Sequence, residues 1–227
     1  MEYAFPPPAP AAIDVVDTDH RYPVHRIYCV GRNYAAHARE MGSDPDREPP
    51  FFFCKPADAI VANHSTIPYP SRTSNLHHEV ELVVAIGQGG KNILPADALD
   101  HIYGYAVGLD LTRRDLQNDL KSKGHPWETG KAFDHSAPIG AITPAESKPI
   151  DQGRIWLSVN DQLRQDADVA DLIWSVPEII SELSALFELC PGDLIFTGTP
   201  SGVAAVKSGD RIEAGIDGLE TLVISIA

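Results

Sequence analysis

The sequence predicts a single α+β domain in which β-structure dominates. Short runs rich in valine, isoleucine and aromatic residues recur along the 227 residues and are separated by glycine and proline, which is the pattern of strands and turns. Few segments show the 3.6-residue periodicity of an amphipathic helix. Neither an internal repeat nor a linker follows residue 25, and a chain of this length suits one large domain.

The composition restricts the classes of partner. The chain has 32 acidic and 18 basic residues and a formal net charge of −14. A surface of this charge repels phosphate backbones and anionic lipids, so we expect neither nucleic-acid nor membrane binding. The three cysteines are too few and too far apart for a disulfide framework, and the first residues lack the features of a secretory signal. We therefore expect a cytoplasmic protein.

The elements are predicted from local patterns in chain order. Residues 1–24 are predicted to form an extended arm, because four of the first ten residues are prolines, and residues 25–227 to form the domain. The predicted strands are 25–31, 51–54, 77–87, 103–110, 193–198 and a C-terminal hairpin, 210–216 and 220–226, that turns at Asp217-Gly218. The predicted helices are 34–41, 95–102, 112–124 and one that begins at Ser175, where Ser175 and Glu178 have capping-box spacing. The polar, proline-broken segment 41–50 is predicted to be a loop that acts as a lid.

Two glutamates lie two residues apart near the start of the 77–87 strand. Side chains at i and i+2 of a strand point to the same face, so Glu79 and Glu81 are predicted to lie side by side. Buried carboxylates so close repel each other, and a hard divalent cation such as Mg²⁺ relieves that repulsion. The alternative is a solvated strand face with two ordinary surface glutamates, which is common.

Asp110 and Lys131 extend this hypothesis. Asp110 closes an apolar strand just before a helix, where it either supplies a third metal oxygen or caps the helix N-terminus. Lys131 follows a glycine among small and polar residues, and it is either a surface charge or a cation that offsets the carboxylates and binds a substrate oxyanion. Adjacent strand residues point to opposite faces, so at most one of His77 and His78 can join the glutamates.

A histidine and a glutamate lie three residues apart in the predicted 34–41 helix. His37 and Glu40 therefore share a face, and a carboxylate beside an imidazole orients the ring and raises its basicity. Such a pair can activate a water molecule, although an exposed pair without function has the same spacing. The turn in FTGTPSGV (196–203) offers backbone N–H groups and a hydroxyl that can hold a carboxylate, or it is a simple loop.

Taken in order, these segments resemble a known family. GRNYAAHARE, KP at 55–56, NLHHEVEL, GYAVGLDLTRRDLQ, GKAFDHSAPIG and FTGTPSGV are similar to motifs of the fumarylacetoacetate hydrolase superfamily. The resemblance covers nearly the whole chain from around residue 25, and the short single-domain form looks like the acylpyruvate hydrolases of that superfamily. It implies a mixed β-sandwich roll and a homodimer.

The resemblance also implies roles for individual residues. The ligands of the metal ion, Mg²⁺ or Mn²⁺, would be Glu79, Glu81 and Asp110. His37 and Glu40 would form a catalytic dyad on a lid that orders when substrate binds, and Lys131 would be the active-site lysine. The residues expected to bind the substrate are Arg114, Gln117 and Thr199 at its pyruvyl end, and Arg32, Arg39 or Arg47 at its distal carboxylate.

The implied activity is hydrolysis of a carbon–carbon bond in a 2,4-dioxo acid, that is, an acylpyruvate. We expect the acyl group to be fumaryl, which gives fumarate and pyruvate in the breakdown of aromatic acids through gentisate. Oxaloacetate decarboxylation, or isomerisation or decarboxylation of another 2-oxo diacid, is an alternative within the same superfamily. A non-catalytic metal-dependent binding protein and an iron(II) oxygenase are alternatives from other classes.

Overall fold

The computed structural model describes residues 2–40, 48–145 and 149–227, and for residues 38–40 it describes the backbone alone. The strands are β1 (Ala12–Asp14), β2 (Arg21–Pro23), β3 (Arg26–Gly31), β4 (Phe51–Lys55), β5 (Ile60–Val61), β6 (Thr66–Ile67), β7 (Leu76–His77), β8 (Val80–Ile86), β9 (Ile102–Leu109), β10 (Thr112–Arg113), β11 (Ala137–Pro138), β12 (Thr143–Pro144), β13 (Arg154–Val159), β14 (Gln162–Asp168), β15 (Asp193–Phe196), β16 (Ala205–Val206), β17 (Arg211–Ile216) and β18 (Leu222–Ile226). The α-helices are α1 (Ala35–Glu40), α2 (Arg114–Ser122), α3 (Glu128–Lys131) and α4 (Val176–Leu186). Short 3-10 turns lie at Ala57–Ala59, Ala98–His101 and Val169–Asp171.

Two large sheets organise the described part of the chain. One has six strands in the order β12-β9-β8-β15-β3-β4, and the other has five in the order β14-β13-β17-β18-β6. Pairing is mixed, since β15 is parallel to β3 and β18 to β6, whereas β8 is antiparallel to both β9 and β15. The prediction of an α+β fold dominated by strands is confirmed, and the two mixed sheets pack as a β-sandwich roll.

The six-stranded sheet is buried on both faces. All seven residues of its central strand β8 are buried, and their side chains alternate in direction. Leu82 and Val84 belong to a core that they share with Leu157 of the five-stranded sheet and with α4. Val83 and Ala85 belong to a second core. Burial on both sides explains why β8 is a nearly continuous apolar run.

The N-terminal segment differs from the predicted extended arm, residues 1–24. Residues 2–10 are exposed, but β1 and β2 form an antiparallel hairpin whose Ile13 and Tyr22 are buried in the second core. The Tyr22 hydroxyl donates to the carbonyl oxygen of Ile86 at 2.8 Å, which ties the hairpin to β8. The prolines determine only the first ten residues, and the apolar residues that follow can pair and bury themselves.

The helices follow the sequence patterns in part. Helix α4 begins after the predicted Ser175 capping box. Helix α2 is shorter than predicted and follows Arg113, so Asp110 is not its N-terminal cap. It buries Arg114 and Gln117, which are three residues apart and share a face. In the described residues, no helix is long and apolar enough to cross a membrane.

The prediction of one continuous strand over residues 77–87 is wrong in one respect. Strand β7 ends at His77 in a three-stranded sheet, β10-β7-β16, and β8 begins at Val80 in the six-stranded sheet. Glu79 lies between them, because the chain crosses from one sheet to the other at this point. The backbone N–H of Asp110 still donates to the carbonyl oxygen of Glu79 at 2.9 Å, so Glu79 stays aligned with the neighbouring strand.

Candidate metal centre

Three carboxylates converge where β8 and β9 lie side by side. Glu81 is in β8 opposite Gly108 of β9, and Asp110 follows the end of β9. Carboxylate oxygens of Glu79, Glu81 and Asp110 lie within 4.8 Å of one another, and all three residues are buried. The hydrogen-bonded ladder between the two strands therefore sets the spacing of the predicted metal ligands, although Glu79 itself is outside a strand.

Three buried cations surround two of these carboxylates. The Lys131 Nζ lies 2.7 Å from Glu79 Oε2 and 2.6 Å from Asp110 Oδ2. The Arg114 guanidinium pairs with the other oxygen of Glu79. The Lys55 Nζ lies 2.8 Å from Asp110 Oδ1. Burial lowers the pKa of Lys131, but the charges of Asp110 and Glu79 raise it above its ordinary value.

Glu81 has a different environment from Glu79. Its Oε2 accepts the backbone N–H of Gly198 at 2.8 Å, and no cationic side chain among the described residues pairs with it. Burial, then the neighbouring charges of Asp110 and Glu79, raise the pKa of Glu81 well above its usual range. Burial also opposes the ionisation of Glu79, yet the charges of Lys131 and Arg114 hold its pKa below its usual range.

This arrangement fits a divalent metal ion. The donor set is oxygen only, its members are held together in the interior, and Glu81 forms no ion pair with a described side chain, although the charge of Lys131 acts on it. Hard cations such as Mg²⁺ and Mn²⁺ prefer carboxylate oxygens and keep further positions for water or substrate. The chain thus has a candidate Mg²⁺ or Mn²⁺ site at Glu79, Glu81 and Asp110.

Lys55 is a further functional candidate, which in the sequence stands out only as part of the KP motif at 55–56. Its side chain is fully buried at the end of β4, and its Nζ donates to the carbonyl oxygens of Leu111 and Lys131 as well as pairing with Asp110. A lysine is rarely buried without partners. The position of a lysine at the end of the apolar run FFFC was the signal that could have indicated this.

A cleft opens onto the three carboxylates. Its walls bring together most of the predicted site residues from five separate segments. They include Arg32, His37, Glu79, Glu81, Asp110, Arg114, Gln117, Lys131 and Thr199. The cleft is also lined by Phe53, Lys121 and Trp127, for which the sequence analysis proposed no role.

His37 is buried on α1 and lies in this cleft. Its charged form contributes to lowering the pKa of Glu79, which agrees with its position close to the carboxylates. Glu40 ends α1, but its side chain is outside the described part of the structure, as is that of Arg39. Arg47 and most of the predicted lid also lie outside the described residues. The pairing of His37 with Glu40 therefore stays a prediction.

Two further cations line the cleft. The Arg32 guanidinium lies over the ring of Phe51, 5.5 Å from its centre, and Lys121 projects from α2. Burial, followed by the charges of Arg32 and Arg114, lowers the pKa of Lys121. Neither Arg32 nor Lys121 has an ion-pair partner among the described residues, so together they attract an anion to this part of the cleft.

His77 and His78 are not part of the carboxylate cluster. His77 Nε2 is bonded to Asn75 Oδ1 at 3.0 Å, and burial, then the charge of Arg114, lower the pKa of His77 to about 4. The buried His78 is bonded through Nδ1 to Gln165 Oε1 at 2.9 Å. The metal-ligand group formed by the described residues here is all carboxylate, so an iron(II) site with two histidines is not supported.

The FTGTPSGV turn follows β15 and closes the site. The hydroxyl of Thr197 donates to the carbonyl oxygen of Leu82 at 2.9 Å, and the Asn33 amide donates to the carbonyl oxygen of Thr197 at 2.8 Å. Gly198 has a φ of +106°, and a Cβ there would lie 2.7 Å from the Asn33 Cβ. The turn was predicted to offer a backbone N–H to a carboxylate, and the Gly198 N–H does so with Glu81.

The fold and this site define a class of proteins. Residues 26–227 match the family model described as "Fumarylacetoacetate (FAA) hydrolase C-terminal". The chain belongs to the fumarylacetoacetate hydrolase family. The resemblance found in the sequence motifs is therefore confirmed.

The names of relatives of this chain describe two different activities. It is 53% identical to a fumarylpyruvate hydrolase from Pseudomonas aeruginosa whose crystal structure is in complex with Mn²⁺ and pyruvate; the match covers 100% of this chain and 99% of that one, with a TM-score of 0.97. A fumarylpyruvate hydrolase of Ralstonia sp is 45% identical over 188 residues, 82% of this chain and 98% of that protein. The mitochondrial oxaloacetate tautomerase FAHD1 of Rattus norvegicus is 47% identical over 197 residues, 86% of this chain and 89% of that protein. Both activities use small 2-oxo acids.

Proposed function

We propose that this protein hydrolyses a carbon–carbon bond in an acylpyruvate, and that the substrate is fumarylpyruvate, which gives fumarate and pyruvate. The observation that carries the proposal is the buried cluster of three carboxylates with Lys131, in one cleft with His37. Identities of 53% and 45% to two fumarylpyruvate hydrolases support the choice of substrate.

The charges of the cleft suit a substrate with a carboxylate at each end. Near the carboxylate cluster, Arg114, Gln117 and Thr199 supply donors for the pyruvyl carboxylate and carbonyl. Arg32 and Lys121 supply two further cations in the same cleft, which we assign to the distal carboxylate of the fumaryl group. Of the three arginines proposed from the sequence for that role, Arg32 is the one whose side chain is described.

The reaction requires a base, an electrophile and a group that stabilises an enolate. A Mg²⁺ or Mn²⁺ ion held by Glu79, Glu81 and Asp110 would supply Lewis acidity to the 2-oxo acid. His37, oriented by Glu40, takes a proton from water, and the water oxygen attacks the carbonyl carbon of the acyl group. The bond between that carbon and the methylene carbon breaks, and the acyl carbon keeps the hydroxyl from water as the new carboxyl group of fumarate. The electron pair of the broken bond leaves as the pyruvate enolate, which Lys131 stabilises with its charge until the methylene carbon takes the proton that His37 removed from water.

Oxaloacetate chemistry is the second candidate, supported by the 47% identity to an oxaloacetate tautomerase. Tautomerisation or decarboxylation of oxaloacetate needs the same enolate stabilisation by Lys131, but it needs no attacking water. His37 would then move a proton on the substrate or have no role in bond cleavage. The role of His37 therefore distinguishes the two candidates.

Parallel assays of fumarylpyruvate and oxaloacetate test the proposal. The protein should remove the absorbance of fumarylpyruvate in the presence of Mn²⁺ and stop when EDTA is added. His37→Ala should abolish this hydrolysis while Mn²⁺ still binds by calorimetry, and His125→Ala, an exposed histidine, should change neither. Turnover of oxaloacetate alone would favour the second candidate, and binding of both acids without turnover would favour a metal-dependent binding protein.

The homodimer and the cytoplasmic location are also proposals. Mass determination by light scattering after size-exclusion chromatography tests the dimer, since a mass of 24.6 kDa is expected for one chain. Fractionation of cells that produce the protein tests the location.

A further inference from the structure

A buried glutamine outside the metal cluster is hydrogen-bonded to Thr199, a residue of the cleft wall. Gln165 in β14 is fully buried, whereas both of its neighbours along the strand are exposed. The pairing between β13 and β14 shifts register beside it, because Leu157 pairs with Gln165 and Ser158 with Leu163. Irregularities of this kind re-aim a side chain. Here the irregularity accompanies a Gln165 amide that points into the protein.

The partners of Gln165 determine which way its amide faces. Nε2 lies 2.9 Å from the carbonyl oxygen of Pro200, which can only accept a hydrogen bond. Oε1 lies 3.2 Å from the backbone nitrogen of Val80, which can only donate. Exchanging the oxygen and nitrogen of the amide would break both bonds. Nε2 therefore donates to Thr199 Oγ1, which lies 2.8 Å away.

This hydrogen bond determines whether the Thr199 hydroxyl donates or accepts toward the cleft. Its hydroxyl accepts from Gln165, and among the described residues its own proton has no acceptor. Thr199 is buried and lines the cleft with the carboxylate cluster, so the proton is available to an anion there. Gly202 keeps the turn close to β14, because a Cβ at this position would lie 2.1 Å from the carbonyl oxygen of Arg164.

We infer that Gln165 is a positioning residue that holds the Thr199 hydroxyl as a hydrogen-bond donor toward the carboxylate of a 2-oxo acid. Gln165 does not touch the substrate itself. It acts through Thr199, and through Val80 it also holds the start of the strand that carries Glu81. The inference rests on the proposed function for the class of ligand, and it does not depend on which reaction follows binding.

Binding of pyruvate to the full chain loaded with Mn²⁺ tests this role by calorimetry. Thr199→Val removes the hydroxyl at constant size, and Gln165→Met removes the amide at similar length. Each should raise the Kd of pyruvate about tenfold, the effect of one charge-assisted hydrogen bond. The double variant should be no more than about twofold weaker than Thr199→Val, because the two residues act as one unit. Thr199→Ser should restore binding, and Gln162→Met, on the exposed part of the same strand, should leave it unchanged.

Two results would overturn the inference. One is an unchanged Kd in Gln165→Met or in Thr199→Val. The other is a full tenfold effect of Gln165→Met in the Thr199→Val background, which would show that Gln165 acts by a separate route. Failure of the proposed function would appear differently. Either the wild-type protein and every variant would fail to bind pyruvate, or the wild-type protein would bind pyruvate without hydrolysing fumarylpyruvate.

A structure of the wild-type protein provides an independent test if Gln165→Met does not fold. In crystals grown with Mn²⁺ and pyruvate, Thr199 Oγ1 should lie about 2.6–3.0 Å from a carboxylate oxygen of pyruvate, with Gln165 Nε2 still bonded to Thr199. A Thr199 hydroxyl that donates to a protein carbonyl instead would refute the inference.

Discussion

Replacement of Lys55 by methionine should destabilise the protein strongly. Methionine has a similar length and keeps the apolar stem, but it removes the charge that pairs with Asp110. It also leaves the carbonyl oxygens of Leu111 and Lys131 without their donor. Removing one partner of a buried ion pair costs about 3–5 kcal/mol; here Asp110 keeps Lys131 as a partner, but the buried carboxylates lose one of their three cations. That cost is a large fraction of the roughly 5–15 kcal/mol that stabilises a typical domain.

The chain offers a matched control for this substitution. Lys123 also forms an ion pair of 2.8 Å, with Asp119. The side chains of that pair are 54% and 57% exposed, whereas those of Lys55 and Asp110 are 0% and 1% exposed. Water screens the exposed pair, so Lys123→Met should cost no more than about 0.5 kcal/mol.

Urea unfolding followed by circular dichroism measures both losses. The experiment is done in EDTA, so that bound metal does not add to the stability of either variant. Shifts of the unfolding midpoint at constant slope give the two free energies. Losses that agree within about 0.5 kcal/mol for Lys55→Met and Lys123→Met would refute the argument that burial makes the Lys55 pair important.

Three further substitutions test other parts of the site and its support. Glu81→Gln should raise the Kd for Mn²⁺, measured by calorimetry, at least about tenfold, whereas the control Glu213→Gln should leave it unchanged. The same Kd in both variants would contradict the assignment of Glu81 as a ligand. Gly198→Ala should lower the free energy of unfolding by about 1–3 kcal/mol, measured with urea, because it places a Cβ at a positive φ and 2.7 Å from the Cβ of a buried asparagine. The control Gly209→Ala also places a Cβ at a positive φ, but no atom lies within 4 Å of it, so the loss should be smaller. Burial opposes the ionisation of Asp115, yet hydrogen bonds from a neighbouring hydroxyl and backbone N–H lower its pKa. A pKa that is lower in the folded than in the unfolded protein stabilises the fold above about pH 4, and this stabilisation is lost as the pH falls. Asp115→Asn should therefore destabilise the protein at about pH 7 and have little effect at about pH 3. An equal loss of stability at both pH values would contradict this prediction.

Local patterns in the sequence predicted much of the fold. The capping box at Ser175 and the turn at Asp217-Gly218 depend on neighbouring residues, and the structure has a helix and a hairpin at these places. The interruption at Glu79 could not be predicted in this way. It arises because the chain leaves one sheet and joins another, and the residues 77–87 continue to look like one strand.

The candidate site was predicted best where the family motifs indicated it and least where burial depends on distant partners. Glu79, Glu81 and Asp110 lie together as expected. The bonds of Lys55 reach residues 56 and 76 positions away, and those of Gln165 reach residues 34 and 85 positions away. The apolar run before Lys55 could indicate that this lysine is buried, but nothing next to either residue in the chain indicates its partners, so periodicity and local motifs could not identify those contacts.

The placement of the metal ligands on hydrogen-bonded neighbours has a consequence for how such a site can diversify. The main chain of the central sheet maintains the separation of the carboxylates, while two other cations that line the cleft belong to Arg32, beyond the end of β3, and Lys121 on α2. Under the proposed function, we expect substitutions of these two cations to change which acid binds while the spacing of the three carboxylates stays the same.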